Sequence, residues 1–150
     1  MADIKSPEER SKNMAKIRSR DTKPEEYIRK LLFSHGYRYR KNVNYVPGHP
    51  DAWLLKYHTA VFVNGCFWHR HKNCKYAYTP KSHVEFWTKK FQKNMERDAI
   101  VKQQLLNNGF RTLVIWECTV KNMIKSEVYR QDILNKIFSF LKSDMAFCEL

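Results

Sequence analysis

Apolar residues recur along this chain with two periods, and the changes from one period to the other mark its elements. Thr22-Lys23-Pro24-Glu25 has the form of a capping box, followed by Ile28, Leu31, Leu32 and His35 at i, i+3, i+4 and i+7 until Gly36 offers a C-cap. That pattern predicts an amphipathic helix. An earlier box, Ser6-Pro7-Glu8-Glu9, predicts a helix running toward Arg18. Its run RSKNMAKIRSR offers only Met14, Ala15 and Ile17 to a core, so it reads either as a basic arm that orders on nucleic acid or as a solvated surface helix.

Alternating aromatics from Tyr37 to Val46, then DAWLLKY and TAVFVN, predict three strands, with turn signals at Pro47-Gly48 and near Tyr57-His58. A third box, Ser82-x-x-Glu85, leads into a long helix with Val84, Trp87, Phe91 and Met95 on one face, ending before Gly109. RTLVIWEC is then a continuous apolar run, as in a strand covered on both faces, and its position after a long helix predicts a crossover. Leu134, Ile137, Phe138 and Leu141 give a final helix. No repeat or low-complexity tract interrupts this order, which fits an α/β sandwich with a mixed sheet.

One hundred and fifty residues suit a single domain. Twenty-eight Lys and Arg against fifteen Asp and Glu give a formal charge of +13, a field that favours a polyanionic partner, although ribosomal and chaperone-like proteins share it. No apolar stretch reaches the roughly 18 residues that span a bilayer, and MADIKSPEERSKNM lacks a secretory core, so the chain is expected to be soluble and cytoplasmic. In a reducing compartment Cys66, Cys74, Cys118 and Cys148 are expected as metal ligands or free thiols.

The segment GCFWHRHKNC, 65 to 74, places two cysteines and two histidines within ten positions. Cys66-x4-His71-x2-Cys74 supplies three zinc ligands, and Cys118, just beyond the buried strand, a fourth. Spacing alone leaves His69 and His71 interchangeable as the imidazole ligand. The one left over is a candidate acid or base, because imidazole changes charge near neutral pH. The plainer reading is a set of buried thiols. Cys148, in a tail expected to fray, has no such case. Pro50-Asp51 opens a strand after a tight turn, where a carboxylate with a backbone carbonyl would suit Mg²⁺, or where Asp51 is simply a turn residue. Glu25 is already explained by its capping box, and it becomes functional if it also reaches His69 and sets its tautomer.

Read together, RSKNM (10 to 14), GHPD (48 to 51), FVNGCFWHRHKNC (62 to 74), EFWTKKFQKNMERD (85 to 98) and GFRTLVIWEC (109 to 118) resemble the Vsr family of very-short-patch-repair DNA mismatch endonucleases. The resemblance covers roughly residues 5 to 120. It implies a restriction-endonuclease-like three-layer sandwich with a central mixed sheet, a structural zinc loop and a DNA-embracing helical arm over 1–20, all in one domain over 1–150. The activity implied is a Mg²⁺-dependent, strand-specific nick 5′ of the T in a T:G mismatch, which starts a short resynthesised patch. Double-stranded DNA is the implied partner, with MutL as a possible second, for a monomer working at the bacterial nucleoid.

By the same resemblance Cys66, His71, Cys74 and Cys118 match structural zinc ligands, which leaves His69 for catalysis. Asp51 matches the Mg²⁺ ligand, Val63 the position whose backbone carbonyl completes that site, and Glu25 the acidic partner of the catalytic histidine. Asn94, Arg97 and Asp98 match a motif on the long helix, where scaffolding is expected, with Arg97-Asp98 as an internal ion pair or a phosphate contact. Two features depart from the pattern. Thr-His of the family stands here as Val63-Asn64, which keeps a main-chain ligand but loses a side-chain one, and the lysine of the wider restriction fold is missing, as is usual in the family.

Phe67, Trp68 and Trp87 match aromatics that insert into DNA. Apolar wedges enter most cheaply where base pairing is already defective. Against this, aromatics in small α/β proteins are mostly core, and Trp87 lies on the apolar face of its helix. A zinc-stabilised DNA- or RNA-binding protein without catalysis is the alternative function. The absence of H-x-E with P-C-x-x-C argues against a zinc deaminase.

Overall fold

The computed structural model describes residues 21–150, so the helix expected between Ser6 and Arg18 and the arm over 1–20 lie outside the described residues. Helix α1 (Lys23–Ser34) opens on the expected capping box. The Glu25 N–H donates to Thr22 Oγ1 at 3.4 Å, and the Thr22 N–H donates back to Glu25 Oε2 at 3.0 Å. Gly36, at φ +89°, takes the left-handed turn that releases the chain after the helix.

Strands β1 (Ala52–Leu54), β2 (Thr59–Asn64), β3 (Arg111–Trp116) and β4 (Phe147–Glu149) form one sheet in that order. β1 pairs antiparallel to β2, whereas β2, β3 and β4 run parallel. Helix α2 (Val84–Asn107) makes the crossover from β2 to β3, and α3 (Glu117–Lys125) and α4 (Glu127–Lys142) connect β3 to β4. Among the described residues this is a mixed α/β chain with a four-stranded sheet and four helices, none long and apolar enough to cross a membrane.

The period of two along the strands sorts side chains into two cores. Ala52, Leu54, Val61, Val63, Leu113 and Ile115 face the larger one, with Ile28 and Leu32 of α1, Val120 and Met123 of α3, and Ile133, Leu134 and Ile137 of α4. Trp53 and Ala60 face the opposite side with Val43, Val46 and Leu105, and Phe62, Val101 and Phe110 complete that layer beneath α2. Burying both faces explains why β2 and β3 read as nearly unbroken apolar runs. Arg111 then ties the start of β3 to the end of α4, donating to the carbonyls of Phe140, Leu141 (3.2 Å) and Met145 (2.9 Å).

Four expectations need correction. The segment 37–46 makes only an isolated bridge, Arg40 to Trp53, because Asn42 at φ +56° breaks the extension; Val43 and Val46 are buried from a loop. The DAWLLKY strand stops at Leu54 and tightens into a 3₁₀ turn at Leu55–Tyr57. The Ser82 box does not form, since α2 begins one residue late, with left-handed His83 at the N-cap, which moves Glu85 out of the reciprocal position. Finally, the tail is not frayed. Leu150 donates to the Val114 carbonyl at 2.8 Å and accepts from the Trp116 N–H at 3.0 Å, so Cys148 sits in β4.

Gly48 places the loop before Asp51 against α2. Its φ is +84°, and a Cβ there would lie 2.4 Å from Val101 Cγ1 and 3.1 Å from the Phe62 ring. Gly48→Ala is expected to cost about 2 kcal/mol or more, from backbone strain and overpacking together. Chemical denaturation of the variant beside the wild type measures it, and an unchanged midpoint would contradict this packing.

Candidate active site and metal centre

Parallel pairing brings the C-terminal ends of β2 and β3 side by side, Asn64 opposite Trp116. Gly65 and Cys66 leave one strand as Glu117 and Cys118 leave the other. The sheet thus delivers Cys118 to the loop that carries Cys66, His71 and Cys74. One ligand atom from each of these four residues lies within 4.8 Å of the others. Three thiols and one imidazole converging at that spacing fit a tetrahedral zinc ion.

Burial pushes the Cys66 thiol up to about 12 and the Cys118 thiol upward as well, the cost of gathering ionisable sulfurs away from water. The His71 ring stacks on Trp116, centroids 4.2 Å apart, and is held below its ordinary range by desolvation, in the neutral form a metal needs. His71 Nδ1 lies 3.4 Å from Cys118 Sγ. Beyond the ring, the Trp116 indole N–H donates to Glu149 at 2.6 Å, so β4 backs the cluster.

His69 turns elsewhere. A left-handed residue, Arg70 at φ +55°, separates the two histidines and sends their rings in different directions. His69 Nδ1 meets Asp98 Oδ2 of α2 at 2.7 Å, both side chains being partly exposed. This corrects two expectations together: Asp98, and not Glu25, is the carboxylate beside His69, and Asp98 is not paired with Arg97. The α2 spacing accounts for it. Asn94 and Asp98, at i and i+4, share the face turned to the loop, and Asn94 donates to the Trp68 carbonyl at 3.1 Å. That spacing was visible in the sequence, but not the loop it faces.

Glu25 lies instead against Asp51. The Asp51 carboxylate accepts the Val63 N–H at 2.6 Å, just past the point where β1 stops pairing. The N–H and C=O of one strand residue point to the same side, so the Val63 carbonyl leaves toward Asp51 too. Arg29, missed in the sequence because it reads as a surface residue of α1, is buried here. It donates to the Asp51 carbonyl at 3.0 Å and to Asp21 at 2.8 Å, and stands 3.9 Å from Glu25. Burial, with Glu25 nearby, raises Asp51 to about 7, while the Val63 bond and Arg29 act in the other direction. A buried and a half-buried carboxylate sharing a site with a main-chain oxygen are hard donors that suit a divalent cation.

The aromatics form a third feature. Phe67 lies 5.0 Å from Trp68, 5.1 Å from Tyr78 and from Phe91, and 5.5 Å from Trp87 by ring centroids. Phe91 is buried beneath them, and Phe67, Trp68 and Trp87 are half-buried and belong to neither core.

With this geometry in view, similarity to known proteins becomes specific. The family model for DNA mismatch endonuclease Vsr matches residues 2–76. The chain belongs to the Vsr family. The Type II nicking enzyme V.NmeAIP of Neisseria meningitidis serogroup A is 48% identical over 122 residues, 81% of this chain and 86% of that protein. The Type II nicking enzyme V.XorIIP of Xanthomonas oryzae pv. oryzae is 37% identical over 135 residues, covering 90% and 98%. The DNA mismatch endonuclease Vsr of Escherichia coli K12 is 38% identical over 125 residues, covering 83% and 80%. This Vsr-family chain is therefore an enzyme of the nuclease class. The matched segment carries Glu25, Asp51, Val63, Phe67, Trp68 and His69, whereas Trp87, Asp98 and Cys118 reach the same region through the fold.

The raised Asp51 carboxyl has a signed consequence. The folded protein holds this proton up to about pH 7, whereas the unfolded chain releases it near 3.8, so the group's stabilising contribution is complete below that lower value and is lost as pH rises through the upper one. Without added divalent ion, Asp51→Asn is expected to raise the unfolding temperature by roughly 5 °C at pH 7.5 and to leave it unchanged near pH 4. Thermal unfolding at the two pH values checks this, and equal shifts at both would refute it.

Proposed function

We propose that this enzyme makes a Mg²⁺-dependent, strand-specific nick in duplex DNA on the 5′ side of the T in a T:G mismatch, starting very short patch repair. The observation that carries the reading is the arrangement around one loop. The segment that offers three of the four zinc-type ligands also presents Phe67, Trp68 and His69, and it continues directly from β2, whose Val63 holds Asp51. In this reading the fold is restriction-endonuclease-like, with the active site at the strand ends.

Each part has a task. The +13 chain is drawn onto phosphate, a sequence-independent attraction that weakens with salt. Phe67, Trp68 and Trp87 enter the base stack at the mismatch, where unstacking costs least. Cys66, His71, Cys74 and Cys118 hold zinc and with it the shape of the loop. Asp51, the Val63 carbonyl and the neighbouring Glu25 hold Mg²⁺, which when bound polarises the scissile phosphate and stabilises the charge that develops on it. His69 donates its Nδ1 proton to Asp98, which leaves Nε2 as the acceptor for a proton from the attacking water. Val63 serves through its main chain, so the absence of a side-chain ligand there leaves the cation site intact. Asn64 adds no ionisable group.

Nicking of end-labelled T:G and T:A duplexes, with and without Mg²⁺, tests the proposal. Asp51→Ala is expected to lower nicking by at least about 10³-fold while T:G binding persists. His69→Ala is expected to lower it by about 10²- to 10⁴-fold with full zinc content by metal analysis. Mismatch binding without Mg²⁺-dependent cleavage would favour the non-catalytic DNA-binding alternative. Preference for RNA in competition would exclude a mismatch role.

A further inference from the structure

Arg70 lies between the two histidines and takes no part in the roles assigned above, yet its guanidinium is among the most heavily bonded groups of the loop. Nη1 donates to the Phe67 carbonyl at 3.2 Å and to the Tyr78 carbonyl at 3.0 Å. Nη2 donates to the Ala77 carbonyl at 2.8 Å and to Thr79 Oγ1 at 3.2 Å. The guanidinium carbon stands 3.9 Å from the centroid of the buried Phe91 ring and 5.8 Å from that of Phe67. No carboxylate pairs with it among the described residues. Its donors go to three main-chain oxygens and one hydroxyl from two separated stretches of chain, and its face rests on the base of the ring cluster.

These contacts join parts that nothing else on the loop joins in this way. Phe67 is the hub of the ring cluster, and Tyr78, exposed, leans on it from the other stretch. From the resting reading of Phe67 and Trp68 as a mismatch wedge, we propose that Arg70 is a specificity-determining positioning residue: by bonding Phe67 and the 77–79 segment with one planar fork, it presents the rings to DNA already assembled. Rings fixed beforehand need not lose their freedom at the moment of binding, so more of the contact free energy reaches the mismatch. The left-handed backbone at Arg70 aims the fork back over its own loop while His71 goes to the thiols and His69 to Asp98. Lysine keeps the charge and cannot reproduce a planar fork with paired donors, so the role belongs to arginine chemistry and not to charge alone.

The test uses the full-length, zinc-loaded protein without Mg²⁺, a T:G duplex carrying 2-aminopurine beside the mismatch, and a matched T:A duplex. Wild type is expected to raise the 2-aminopurine fluorescence on binding, a direct report of unstacking. Arg70→Lys is expected to keep its zinc and its T:A affinity, to lose about tenfold of the preference for T:G over T:A, and to show a smaller fluorescence rise at saturation. Thr79→Val, which removes one of the four bonds, is expected to lose about two- to threefold in the same direction. Retention by Arg70→Lys of both preference and fluorescence overturns the inference, and so does loss of zinc from Arg70→Lys, because the fork would then serve the metal loop. A Phe67→Ala/Trp68→Ala double variant separates the two levels. If it keeps the fluorescence rise, the wedge reading itself fails; if it loses the rise while Arg70→Lys does not, only the role of Arg70 fails.

Discussion

The parallel register of β2 and β3 is the constraint on which the other features depend. Parallel neighbours end at the same edge of a sheet, and in open α/β folds that carboxyl edge is where loops from different strands meet. Here the edge receives the Gly65–Cys74 loop from one strand and Cys118 from the other. A change of register by one residue would reverse which side chains of β3 face each core, so apolar packing protects the alignment that the chemistry needs. The crossover helix α2 follows from the same pairing, and it contributes Asp98, Asn94 and Trp87 to that edge.

Charge is handled in two different ways at the two candidate metal sites. At the Cys/His cluster the sulfurs are gathered with little compensation apart from backbone donors, and the thiols are correspondingly hard to ionise. At Asp51 the fold supplies partial compensation through the Val63 N–H and the buried Arg29, and still leaves the carboxyl near neutrality. Both arrangements gain when a cation arrives, since the same burial that penalises free anions strengthens their attraction to it. The two candidate sites differ in donor chemistry: soft thiols and imidazole on one side, hard carboxylates and a carbonyl on the other.

Much of the architecture was legible along the chain because its signals are local. The capping box at Thr22, the apolar stripe of α1, the continuous runs that became β2 and β3, and the clustering of Cys66, His69, His71 and Cys74 in one loop all depend on residues near one another in sequence. Where the reading missed, tertiary packing had overridden a local pattern. The segment from Tyr37 to Val46 buried Val43 and Val46 rather than its aromatics and kept only the Arg40–Trp53 bridge, and Phe147–Glu149, too short to show a period, became a strand because β3 offered an open edge.

By itself the sequence determined which residue types are present for chemistry, and the order in which helices and strands supply them. It could not say which histidine meets which carboxylate, because His69 and His71 are equivalent in spacing and Asp98 lies 29 residues from its partner. Only the three-dimensional arrangement chose, through a left-handed turn at Arg70 and the orientation of one face of α2. The same holds for Arg29 and Glu25, whose roles come from being buried beside Asp51. Burial is a property of the assembled layers, and no window along the chain contains it.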